Sequence, residues 1–97
     1  MDERDRLQLS GNAEQDLTDI WLHIATDSPE NADRFIDLLF HRALLLSEFP
    51  GSGRQRPELD EGLFSFPFRN YVFYYRKSDG GIVVTRILHG ARELDRD

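Results

Sequence analysis

Ninety-seven residues with a mass of 11.3 kDa bound the chain to one domain spanning 1–97, since a second hydrophobic core needs about twice that length. An apolar content of 39% with 11% aromatics excludes a disordered chain, and the absence of cysteine excludes a disulfide framework, a thiolate nucleophile and a cysteine zinc site. The formal charge of −6 argues against nucleic acid or an anionic membrane as a direct partner only if it is evenly spread, so its placement along the chain decides.

The opening Met-Asp-Glu-Arg-Asp-Arg leads into no apolar run, which predicts neither a signal peptide nor a spanning helix, and a cytoplasmic location. Leu7-Gln8-Leu9 alternates as a short first strand. Ser10 or Asn12 then caps a helix, and Asn12 with Gln15 fits a capping box. Ala13, Leu17, Ile20, Trp21 and Ile24 recur at helical spacing, with Trp21 as a core anchor and acids on the opposite, solvated face.

Ser28-Pro29-Glu30 starts a second helix with a hydroxyl cap, proline in the first turn and an acid facing the helix N-terminus. It runs to about Phe49 and stops at Pro50-Gly51. Its main stripe is Ala32, Phe35, Ile36, Leu39, Ala43 and Leu46. Leu38, Phe40, Leu44 and Leu45 fall off that stripe, so its C-terminal half is apolar nearly all round and calls for cover by a partner.

Gly51 to Glu61 reads as loop, followed by strands at Leu63–Phe68, Tyr71–Lys77 and Ile82–His89. Asp79-Gly80 supplies positive φ values for a hairpin, and Pro67 places the first of the three strands at a sheet edge. In the last strand Ile82, Val84, Arg86 and Leu88 share one face, and Val83, Thr85, Ile87 and His89 the other. The order β-α-α-β-β-β predicts an α+β fold, a helical hairpin packed on one face of a small, mostly antiparallel sheet whose other face awaits a peptide or helix from another chain.

The charge is polarised along this order. From Glu14 to Asp37, the acids Glu14, Asp16, Asp19, Asp27, Glu30, Asp33 and Asp37 face one base, Arg34. Arg69, Arg76, Lys77, Arg86 and Arg92 face only Asp79 in the strand half, with Arg54 and Arg56 just upstream. All the bases but Lys77 are arginine, the residue that grips carboxylate, phosphate or an aromatic face, although GC-rich coding enriches it too.

Several of these segments, taken together, resemble one family. They are Leu9-Ser10 with Ala13-Glu14, Asp16-Leu17 and Ile20-Trp21; Ser28-Pro29-Glu30-Asn31-Ala32; Phe35-Ile36; Phe49-Pro50 to Gly53-Arg54; and Arg56-Pro57-Glu58-Leu59. Ser65-Phe66-Pro67, Tyr71, Tyr75-Arg76 and Ile87-Leu88-His89-Gly90-Ala91-Arg92 complete the set. In order and spacing, from Leu7 to Arg92, they resemble the ParE-type toxins of the ParE/RelE superfamily. The resemblance implies the toxin of a bacterial type II toxin–antitoxin pair with the fold derived above. It also implies a ParD-like antitoxin in a heterotetramer or larger assembly, contact with operator DNA only through that antitoxin, and no membrane partner. ParE-type members poison DNA gyrase and arrest growth, whereas RelE-type members cleave messenger RNA on the ribosome.

Metal-free RNA cleavage needs a group to activate the 2′-hydroxyl, an acid for the leaving oxygen and cations on the phosphate. Val72 stands where the ribonuclease branch resembles Tyr-Arg, Phe64 to Phe68 carries no lysine, and Glu93 to Asp97 contains no tyrosine. No catalytic residue is therefore expected, and a ribonuclease would have to rest on His89 and Arg92. The alternative for that pair is structural, His89 closing the last strand and Arg92 holding an acid of the first helix. Candidates for gripping the antitoxin or target are Leu38, Leu45, Arg54, Arg56, Arg69, Arg76, Arg86, His89 and Arg92, against the alternative of a solvated charge cluster for the arginines. Phe64 replaces an arginine common in ParE-type sequences, and Arg69 lies near enough to substitute. His23, His41 and His89 lack metal-ligand spacing, and neither a metal nor a cofactor is expected.

Overall fold

The computed structural model describes residues 6–90. Within them the order is β1 (Leu7–Leu9), α1 (Gly11–Ala25), α2 (Pro29–Glu48), a 3-10 turn at Pro50–Ser52, β2 (Arg54–Gln55), β3 (Leu63–Phe68), β4 (Tyr71–Ser78) and β5 (Gly81–His89). The strands form one sheet in the order β1-β5-β4-β3-β2, antiparallel except for the parallel pair β1–β5, with Leu7 opposite Ile82. The α+β architecture and the helical hairpin are as the sequence predicts. The extra strand β2 is not, because two residues are too few to carry an alternating pattern.

Ser10 starts α1. Its Oγ accepts from the Ala13 N–H at 3.1 Å and donates to the Thr85 carbonyl at 2.9 Å, so one hydroxyl caps the helix and ties it to β5. Asn12 lies exposed inside the helix and Gln15 bonds Asp19 instead, so the capping box does not form. Ser28 caps α2 by accepting from Asn31 N–H at 3.2 Å. Trp21 is half-buried and not a core anchor: its Nε1 donates to Asp33 at 2.8 Å, which places it on the seam between the helices.

Ala13, Ile20, Leu39, Ala43 and Leu46 pack on Phe64, Phe73, Tyr75, Ile82, Val84 and Ile87 to form the main core. A β-bulge sets the phase of β5: Tyr74 pairs with Arg86 but Tyr75 pairs with Val84, leaving Thr85 as the additional residue. The bulge corrects the predicted faces. Ile82 and Val84 belong to the helix side as a strict alternation gives, but beyond Thr85 it is Ile87 that joins the core, while Leu88 turns to the other face.

That other face is not left bare. Leu63, Tyr74 and Leu88 are buried there, with Leu59 and Val72 packed against them. Arg76 pins the loop bearing Leu59 by donating to the Glu61 carbonyl at 2.7 Å and pairing with Asp60. β3 is an edge strand only from Phe66 onward, because β2 pairs with Phe64 and Ser65. The Arg56 N–H donates to the Leu63 carbonyl, so odd-numbered residues of β3 face outward, and Pro67 removes the outward donor beyond Ser65.

Two turns show what the sequence specifies. Between β4 and β5 only Gly80 has a positive φ, 76°, not Asp79 as well, which matches a type II turn. Between β3 and β4 the left-handed position falls on Arg69, φ 59°, where a side chain is disfavoured. Arg69→Gly is therefore expected to stabilise the fold by about 0.5 kcal/mol after the extra unfolded-state entropy of glycine, raising the thermal midpoint by roughly 2–4 °C. A calorimetric midpoint at or below that of the parent would refute strain at this turn.

Tyr75, fully buried, closes the other end of the core. Its hydroxyl donates to the Pro50 carbonyl at 2.8 Å and accepts from Gly53 N–H at 2.9 Å, fixing the chain where α2 stops. Burial raises the pKa of this phenol above its ordinary 10.0, partly offset by the Gly53 hydrogen bond, and burial raises that of Tyr71 too. A raised folded-state pKa favours the neutral phenol in the native chain. Stability is then fully present below about pH 10 and falls as pH climbs through the folded values. Urea midpoints are expected to fall above about pH 10, and less steeply in Tyr75→Phe, which starts about 1–2 kcal/mol lower for its lost hydrogen bonds. Parallel curves for the two proteins would show that Tyr75 does not carry the effect.

Candidate functional site

Three surfaces receive the residues singled out in the sequence. The first is the outward side of α2, where Leu38 and Leu45 are 42% and 38% exposed, and Phe49, the cap that ends the helix, is 64% exposed. The twenty-residue helix cannot bury all its leucines on one layer of sheet, so the stripe through Ala32, Leu39, Ala43 and Leu46 goes inward with Phe35 and Ile36 partly buried against it, while Leu38 and Leu45 stay outside. Arg42, a residue the sequence reading passed over, lies on this surface with its Cζ 5.1 Å from the Phe68 ring centre and 5.8 Å from that of Phe66.

The second surface is a shallow groove of about 280 Å³ on the open face of the sheet, lined by Arg54, Arg56, Ser65, Pro67, Val72, Tyr74 and Gly90. Arg54 is exposed on β2. Arg56 is half-buried and held in place, its Nε donating to Glu58 at 2.7 Å and its Nη1 to the Ser65 hydroxyl at 3.2 Å. The Arg56 hydrogen bond is the main cause that holds the Glu58 carboxyl below its ordinary range. The structure brings these two arginines together, but Arg69 stands apart in the β3–β4 turn with its guanidinium 5.5 Å from the Phe68 ring centre, and Arg76 is committed to the loop it pins.

The third surface is the edge of β5. Three-residue β1 ends at Leu9, opposite Val84, and α1 takes over the edge beyond it. Asp16, buried at 8% exposure, accepts from Arg86 Nε at 2.8 Å, from Arg86 Nη2 at 3.1 Å and from the Ile87 N–H at 2.9 Å. The bidentate pair raises the Arg86 pKa further, so this guanidinium is a structural clasp and not a free anion grip. Asp16 was missed as a functional position among the acids of a solvated face. Its signal was its spacing, three residues after Ala13 and four before Ile20, inside the apolar stripe.

Next to this clasp His89 meets Tyr71 edge-on with ring centres 5.4 Å apart, and Tyr71 in turn packs against Phe35 of α2 at 5.5 Å. His89, Tyr71, Asp19 and His23 border a groove of about 310 Å³ on the α1 side. His89 therefore opens away from Arg54 and Arg56, and Arg92, its proposed catalytic partner, lies outside the described residues. The expected pairing of Arg92 with an acid of the first helix likewise lies outside the described residues. Among the described residues no three His, Asp or Glu side chains converge on a metal site, and no helix is long and apolar enough to cross a membrane.

This layering of a helical hairpin on a five-stranded mixed sheet is that of a chain in the solved chromosomal ParDE toxin–antitoxin system from P. aeruginosa. The two superpose with a TM-score of 0.72 at 21% identity, over 86% of this chain and 92% of that one. In sequence the chain is 33% identical over 84 residues to Toxin RelE3 of Caulobacter vibrioides, covering 86% of this chain and 91% of the relative. It is 39% identical over 59 residues to Toxin ParE3 of the same organism, covering 61% and 56%. Residues 7–94 match the model of the ParE toxins of parDE type II toxin–antitoxin systems, and the chain belongs to that family.

Proposed function

We propose that the chain acts on DNA gyrase without cleaving RNA, in the cytoplasm, and that a ParD-type antitoxin neutralises it. The observation that carries this is the content of the sheet-face groove. Arg54 presents an exposed guanidinium and Arg56 one already paired with Glu58, groups that bind anions but do not release protons, and Val72 lines the groove where the resemblance places a polar side chain in a cleaving enzyme. His89 opens into the other groove, 5.4 Å from Tyr71, and is not positioned to act with them. The antitoxin reading is supported by the likeness to a ParDE chain and by the apolar residues left outside on α2. The assembly is a heterotetramer or larger, and operator DNA is reached only through the antitoxin.

Induction without antitoxin is the test. Gyrase-dependent DNA breaks with intact messenger RNA, and inhibition of purified gyrase, are expected. Shortened messenger RNA over intact DNA, abolished by His89→Ala, overturns the reading in favour of a ribonuclease. Harmless expression from a tight promoter overturns it in favour of a co-repressor that has lost potency.

A further inference from the structure

Leu38, Arg42, Leu45 and Phe49 follow one another at steps of four, three and four residues, the spacing by which one helix offers a seam to another. Arg42 interrupts that seam in an unusual setting. Its neighbours three and four positions away along α2 are Leu38, Leu39, Leu45 and Leu46, so no acid of its own helix reaches it. Its guanidinium lies over the rings of Phe66 and Phe68. Arg56, Arg76 and Arg86 each hold a carboxylate, whereas no hydrogen bond or ion pair joins Arg42 to a carboxylate among the described residues. Beside it Leu45, Leu46, Phe49, Ser52 and Phe66 enclose a groove of about 320 Å³.

We infer that Arg42 is a specificity-determining residue of this surface, reading a carboxylate on an amphipathic helix of the antitoxin that sits between two apolar anchors; this rests on the antitoxin reading above. A guanidinium over aromatic rings keeps N–H edges available, and a partner carboxylate reaching them while leucines exclude water makes a strong charge-assisted bond. The remaining exposed charge of α2 is mostly acidic, with Glu30, Asp33, Asp37 and Glu48 against Arg34. An acidic partner helix is repelled along most of α2 and attracted at Arg42, which fixes its register. Two other occupants fit less well. A strand lacks an outward donor at Pro67, and a second copy paired about a two-fold axis sets one Arg42 against another.

The test uses the purified chain and a ParD-type antitoxin that neutralises it. Arg42→Glu is expected to weaken the complex about 100-fold and Arg42→Met, which keeps an apolar stem, about tenfold, with thermal midpoints of the free chains lowered by only a few degrees for the lost contact with the Phe66 and Phe68 rings. Raising salt from about 0.05 to 0.5 M should weaken the parent complex more than the Arg42→Met complex. Exchanging one antitoxin acid for arginine should restore binding to Arg42→Glu. If both Arg42 variants bind like the parent while Leu45→Asp fails, this inference falls and the antitoxin reading stands. If Leu45→Asp also binds like the parent, the use of this face by the antitoxin falls with it. A parent chain that is dimeric alone in sedimentation, made monomeric by Arg42→Glu, overturns the inference in favour of a second copy.

Discussion

Asp16→Ala is expected to remove about 3 kcal/mol of stability, enough to lower the thermal midpoint of so small a domain by roughly 12–24 °C. The carboxylate accepts three hydrogen bonds, two from Arg86 and one from the Ile87 N–H, at the place where β1 has ended and β5 has no strand beside it. Alanine leaves the buried backbone donor of Ile87 without its acceptor. Arg86 suffers less, because its side chain is about a third exposed (32%) and reaches water, so most of the loss is assigned to the backbone donor and the clasp between α1 and β5. Asp16→Asn keeps one acceptor oxygen and should cost about half as much; Arg86→Met should cost about 1–2 kcal/mol. Urea unfolding of the three variants checks the order. Equal losses for Asp16→Ala and Arg86→Met would mean that the ion pair, not the strand-edge cap, carries the energy.

The same corner shows how far the sequence could be read. Elements with long, clean periodicity were legible: α2 begins at Ser28 and stops before Pro50, and the three long strands fall where their alternation places them. The bulge at Thr85 was not, because one additional residue changes the face of every later side chain without leaving a pattern of its own. Arg86 read as a surface grip for another reason, its place in a run of bases whose acidic partner is far away in sequence. Asp16 and Arg86 lie seventy positions apart in sequence, and only the fold joins them. Arg42 is the opposite case: its four leucine neighbours were visible in the sequence, and what the structure adds is Phe66 and Phe68 and the absence of a carboxylate among the described residues. The charge divides in the same way. The −6 total conceals a helical layer that is acidic outside and a sheet-face groove presenting Arg54 and Arg56, so the sum does not argue against a role at a DNA enzyme.

The outer face of α2 leads to the second large effect. Leu38→Asp and Leu45→Asp are each expected to weaken the antitoxin complex at least tenfold, and together about a thousandfold. Both side chains are already well exposed in the free chain, at 42% and 38%, so aspartate there should leave its unfolding midpoint nearly unchanged. In the complex each substitution loses the burial of the exposed part of a leucine, about 0.6–1.2 kcal/mol, and puts a charge against an apolar surface, which costs at least as much again. Covering roughly 800 Å² of apolar surface in all would supply on the order of 20 kcal/mol before ordering costs, so the double variant is expected to bind weakly and not to lose binding outright. Phe40→Asp is the control. Phe40 is equally exposed at 40% but lies about 200° around the helix from Leu38, on a different face, and its substitution should change affinity less than about threefold. If Phe40→Asp weakens the complex as much as Leu45→Asp, the antitoxin wraps α2 without preferring the seam through Leu38, Arg42 and Leu45. Calorimetric titration of the four variants distinguishes the two geometries, because the seam predicts a dependence on helical phase that general apolar cover does not.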